Sequence, residues 1–220
     1  MIDDPVFCGL AVIFTFLLLL SARSLFKILP SLWYCVQRWK GNLDLEDSLQ
    51  LSGSRNLVAG VLFVPLCMVA YSHNLYHTDY MDGMPPALQL AAVCGTMLAY
   101  LILRMFLNWQ LEMDAYRSKT FTAANRSFYN YLILLFLIVF PIGAAFKVLI
   151  GNEYVTRTVI LYITAFTYLF HIIRRGQIFA SVCNPFTTFL YLCGLELLPT
   201  AVLVLSAKSV SYTHLRAHET

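Results

Sequence analysis

One acid interrupts the last apolar run of this chain, Pro185 to Ser206. Glu196 stands eleven residues beyond Pro185, about 16 Å along a helix that rises 1.5 Å per residue. That depth is close to the middle of a hydrocarbon layer about 30 Å thick. An ionised acid there costs at least a few kcal/mol, so it must face the interior and be either protonated or partnered. Two kinds of chemistry follow: a protonated Glu196 that donates to a neighbour locks helices together, whereas a titrating one serves proton or cation coupling. Thr96, Tyr100, Thr164, Thr167 and Tyr168 lie at similar depth on other apolar runs and supply hydroxyl partners for either role. Pro65 and Pro141 free backbone carbonyls in other runs, and Pro199 bends the helix three residues beyond the acid.

The remaining chemistry-bearing residues carry less. His73 and His77 are four apart and precede Asp79 and Asp82, a spacing that on a helix would let two imidazoles meet a metal. The segment also holds Gly83, Pro85 and Pro86, so it reads as a loop, and no metal is assigned. The six cysteines contain no Cys-x-x-Cys pair and mostly fall inside apolar runs, as small buried residues do. No P-loop, Gly-x-Ser-x-Gly, His-Glu-x-x-His or Gly-x-Gly-x-x-Gly motif occurs, so no catalytic residue and no cofactor is assigned. His171, Arg174 and Arg175, with Arg104 and Arg126, could bind anionic lipid or a phosphate. Ordinary retention of positive charge at the cytoplasmic face explains these arginines without a ligand, and that explanation is preferred. Lys27, Arg38, Lys40, Arg174 and Arg175 are the residues expected to meet anionic headgroups.

The elements that must position these groups follow from composition. Apolar residues make up 59% of the 220 and charged residues 12%, whereas soluble domains run near 45–50% and about 25%. A water-soluble globule is excluded, and the lipid bilayer becomes the first partner; nothing suggests nucleic acid. The apolar total suffices for roughly six spans of about 20 residues. They are placed at about 5–22, 57–72, 86–103, 128–150, 155–173 and 185–206, with Asn184-Pro185 as the start signal of the last. Eleven Lys and Arg residues fall in the segments after the first, third and fifth spans, whereas the opposite side holds Lys147, Arg157 and Lys208. Positive residues stay cytoplasmic, so both termini are expected outside the cytoplasm and the span count is even.

Two connecting segments are patterned. Ser24 to Lys40 sets Leu25, Ile28, Leu29, Leu32, Trp33, Val36 and Trp39 near one face, as expected of an amphipathic interfacial helix after the first span. Met105 to Asn125 reads as a cytoplasmic continuation of the third span. The last eleven residues, Val210 to Thr220, break the apolar pattern and resemble the translation of a transposon-end sequencing adapter. They are expected to be non-native, which leaves 1–209 as a single transmembrane domain and discounts the His214 and His218 pair.

Around Glu196 the string Phe189-Leu190-Tyr191-Leu192-Cys193-Gly194-Leu195-Glu196-Leu197-Leu198-Pro199 resembles the C-terminal signature of a family of Bacteroidetes integral membrane proteins, domain of unknown function 4271. The resemblance implies a multi-pass protein of the inner membrane of a Gram-negative bacterium. It implies no activity and carries no catalytic residue, but its matching string contains Glu196. The resulting expectation is an all-α bundle acting as a non-enzymatic membrane component or assembly partner, through other membrane proteins or self-association. A small proton-coupled transporter using Glu196 is the alternative. A membrane-embedded lipid-processing enzyme is less favoured, because no paired carboxylates face a common surface.

Overall fold

The computed structural model describes residues 5–76, 81, 83–112 and 119–206. Among them there is no strand, and the helices are α1 (Pro5–Gln37), α2 (Gly41–Asp47), α3 (Leu49–Ser72), α4 (Pro86–Glu112), α5 (Lys119–Leu149) and α6 (Glu153–Ala180), followed by α7 (Pro185–Ser206). All but the short α2 are long and apolar enough to cross a membrane, which makes six candidate spans. The described residues form an all-α bundle of apolar spans. The adapter-like tail lies outside them.

Five spans close a ring in which each packs on its neighbours: α3 on α5, α5 on α6, α6 on α7, α7 on α4, and α4 back on α3. α1 lies outside that ring against α3, with a lighter contact on α5. Ile28 and Leu32 of α1, Val58, Ala59 and Leu62 of α3, and Leu132, Ile133 and Phe136 of α5 form one buried apolar cluster at this junction. A second joins Phe121 and Ala124 of α5, Ile178 and Phe179 of α6, and Leu195 of α7. A third, at the end of the bundle remote from α2, holds Ala70, Met81 and Val93, with Leu203 of α7 packed on it.

The segment expected as a separate interfacial helix, Ser24 to Lys40, is the second half of α1 as far as Gln37. No glycine stands between Ala22 and Gln37 to break the helix, and Pro30 is accommodated within it. Of the apolar face read as turned toward headgroups, Ile28 and Leu32 are fully buried against α3 and α5, with Leu25 packed on them, whereas Leu29 and Trp33 stay exposed. Lys27, Arg38 and Lys40 are exposed on the remaining surface. The second adjustment concerns Asn125, which belongs to α5 and not to an extension of α4.

Two reversals depend on glycine. At Gly41 a Cβ would stand 2.7 Å from Tyr34 Cδ1 and 2.9 Å from the Cys35 nitrogen, so α2 folds back against the end of α1 only without a side chain. Gly151 adopts φ 64° between α5 and α6, a region glycine enters without steric cost. Asn152 then caps α6, its side chain accepting from the Tyr154 and Val155 amides. Pro185 opens α7 at the first helical position as expected, although the Asn184 side chain makes no capping bond.

Candidate functional site

The centre of the ring is polar, and α7 sets its geometry. Pro199 cannot donate a backbone hydrogen bond and its ring crowds the preceding turn. Just before it the helix widens into a π turn, Cys193–Leu197, in which the Leu198 amide reaches back to the Cys193 carbonyl. Single π turns of this kind recur at functional sites. Glu196 lies within this turn and is completely buried.

Its carboxylate is partnered by basic side chains from two other helices. Glu196 Oε1 accepts from Arg175 Nη1 of α6, lies 2.5 Å from Arg104 Nη2 of α4 and is 3.2 Å from His171 Nε2 of α6. The side chains of all four residues are at most 4% exposed. Arg175 Nη2 also donates to Asn108 Oδ1 at 3.1 Å and to Asn125 Oδ1, so this arginine ties α4, α5, α6 and α7 together. The Arg104 guanidinium lies 3.8 Å over the Phe128 ring of α5, a cation–π contact worth about 2 kcal/mol or more when desolvated. His171 is enclosed by Phe128, Tyr131 and Tyr168, with ring centroids 4.9–6.5 Å away.

A run of hydroxyls continues from this centre. Tyr168 Oη donates to the Glu196 carbonyl at 2.9 Å and lies 2.6 Å from Thr200 Oγ1. Tyr100 Oη reaches the same threonine at 3.5 Å. Of the hydroxyls expected near the acid, the structure therefore brings Tyr168 onto the Glu196 backbone and links Tyr100 to it through Thr200. The others do not join. Thr96 bonds the Ala92 and Val93 carbonyls of its own helix, Thr164 bonds Ile160, and Thr167 is half-buried on α6 with no bond to Glu196 among the described residues.

Three of the arginines engage groups of the protein itself. Arg175, expected at anionic headgroups, is fully buried on Glu196. Arg174 is half-buried; its Nη2 donates to the Val36 and Gln37 carbonyls at 2.6 and 3.0 Å, and its Nη1 to Gln177. A cation at those last carbonyls satisfies groups that the end of α1 leaves open and complements its negative pole. Arg104 is likewise an interior partner, not a surface anchor. The signal for these residues was available as spacing: Tyr100, Arg104 and Asn108 stand four apart on α4, and His171 and Arg175 four apart on α6, so each set shares one face.

A second charged cluster lies beside α2. Glu46 pairs with Arg55 of α3 at 2.9 Å and Arg126 of α5 at 2.5 Å, next to Asn130 Nδ2, which donates to Asn42 Oδ1 at 2.8 Å. At the other end of the bundle His73 packs over Gly143, where a Cβ would meet Nε2 at 3.1 Å. Burial, and then the positive Lys147, lower its pKa. His77, Asp79 and Asp82 lie outside the described residues, and with them the metal arrangement that their spacing raised.

The chain matches no protein-family model, no curated protein and no solved structure. Its fold and its interior centre define the class: a polytopic α-helical membrane protein whose spans converge on a buried arginine–glutamate centre.

Proposed function

We propose that this chain works as a non-enzymatic component of a membrane assembly, with α1 as the helix that meets a neighbouring protein or a second copy. The observation that carries the reading is the position of α1. It is the least buried of the six spans, with 6% of its apolar window covered against 39% for α3. Its outer half turns Val12, Ile13, Phe16, Leu19 and Leu20 outward, while the other five spans close around an ion-pair centre. A closed ring with one helix at its rim suits a scaffold with a docking element. The Lys and Arg asymmetry supports an orientation with the α2 end cytoplasmic and both termini outside. The resemblance to domain of unknown function 4271 supports the inner membrane of a Gram-negative bacterium.

A photo-crosslinking residue at position 16, examined in native membranes, tests this. A discrete protein adduct is expected there, at twice the 25.0 kDa chain mass if the partner is a second copy. The same residue at Phe166, exposed on α6, should label lipid. Lipid adducts alone at both positions would overturn the reading. A proton-coupled permease is the second reading, favoured by the hydroxyl series Tyr100, Thr200 and Tyr168 that leads to Glu196.

A further inference from the structure

The interior centre carries more positive charge than negative. Arg104 and Arg175 face one carboxylate, so the formal sum is +1 with His171 neutral and +2 with it protonated. Bulk water does not offset this excess, because these side chains are at most 4% exposed. In a low-dielectric interior an unbalanced charge is expensive and calls for a counter-charge. The atoms able to hold one are in place: among the described residues Arg104 Nη1 and Arg175 Nε are buried donors with no hydrogen-bond partner, and the acceptor Glu196 Oε2 and the ring nitrogen His171 Nδ1 are buried without one as well. Two donor nitrogens and one acceptor oxygen on a positive site match a phosphate group that offers acceptor oxygens and a P–OH.

We propose that the Arg104, Arg175 and Glu196 centre binds such a phosphate group, carried by inorganic phosphate or by the monoester headgroup of a lipid such as phosphatidate. The monoanion cancels the excess charge, its oxygens accept from Arg104 Nη1 and Arg175 Nε, and its hydroxyl donates to Glu196 Oε2. Access is from the α2 end, where the half-buried Asn108 and Asn125 already meet Arg175. The other end is closed by the apolar cluster of Ala70, Met81 and Val93 with Leu203. This inference needs only the membrane-spanning fold and stands apart from the docking role of α1.

The test uses the full chain in phosphate-free detergent, titrated with sodium phosphate or with sodium chloride at equal ionic strength. A second arm uses phosphatidylcholine nanodiscs with and without phosphatidate, and intrinsic fluorescence gives the unfolding midpoint in both. A saturable rise of about 5 °C at a hundredfold excess over Kd is expected in at least one arm, and the arm that responds identifies the source. Arg104→Gln leaves a neutral Arg175 and Glu196 pair and should abolish the rise. An equal rise in that variant would mark general salt or lipid stabilisation and overturn the proposal, as would no rise in either arm for the wild type. If Arg104→Gln does not fold, equilibrium dialysis of the wild type against radiolabelled phosphate decides, with mass spectrometry of phosphatidate retained from the mixed discs. Near-stoichiometric retention of either supports the site, and retention of neither sinks it.

Discussion

Glu46 and Glu196 are each held between two arginines, and the two trios differ mainly in how much water reaches them. Beside α2, the side chains of Arg55, Glu46 and Arg126 are 1%, 12% and 44% exposed. In the ring, Arg104, Glu196 and Arg175 are 4%, 0% and 0% exposed. Coulomb attraction strengthens as the local dielectric falls, but the cost of stripping water from each ion rises with it. The outer trio can leave its excess positive charge to solvent and salt through Arg126. The inner trio cannot, and it depends on its single carboxylate. Identical chemistry thus yields an interchangeable contact at one end of the bundle and an obligatory one in its interior.

The largest expected effect follows from that dependence. Glu196→Gln keeps size and hydrogen-bonding capacity but leaves two buried guanidiniums without an anion, at a cost of about 3–5 kcal/mol. In phosphate-free detergent the variant should unfold at clearly lower temperature than the wild type, and adding Arg175→Gln should recover part of the loss by removing one of the stranded charges. A Glu196→Gln protein with wild-type melting would defeat the comparison. If that protein had also lost pH-dependent flux, Glu196 would be a coupling acid and not a helix lock.

How much of this was legible in the sequence depended on whether a residue had a default explanation. The six spans were visible because apolar run length is itself the physical requirement for crossing a bilayer. Glu196 was visible because nothing in an apolar helix excuses a carboxylate. Arg104 and Arg175 were hidden because basic residues near span ends are explained by topology alone, although their four-residue spacing to Asn108 and His171 carried the interior face. Thr96 and Thr164 misled for the opposite reason: a hydroxyl at the right depth bonds its own helix as readily as a neighbour. The face of α1 from Leu25 to Val36 has the same periodicity whether headgroups or helices cover it, so only the position of α3 and α5 decides.

A smaller effect is expected at Glu46. Glu46→Gln removes the charge partner of Arg55, which is buried, yet Asn56 Oδ1 still accepts from Arg55 Nε and Nη2 at 3.1 and 3.0 Å. The loss should be about 1–3 kcal/mol, read as an unfolding midpoint between those of the wild type and Glu196→Gln. A drop matching that of Glu196→Gln would show that Arg55, and not solvent access, sets the cost of the outer trio.

Arg126→Gln should cost least, below about 1 kcal/mol, because an exposed partner gains little from its ion pair. Salt sharpens the distinction between the trios. Raising ionic strength from 0.1 to 1 M shortens the screening length from about 10 to about 3 Å, so the small difference between Arg126→Gln and the wild type should vanish. The difference between Glu196→Gln and the wild type should persist in sodium chloride, because a buried pair is screened far less than an exposed one. If the Glu196→Gln difference also closed at high salt, the interior centre would have to be screened as an exposed pair is. Its two arginines would then have no more need of a fixed anion than Arg126 has.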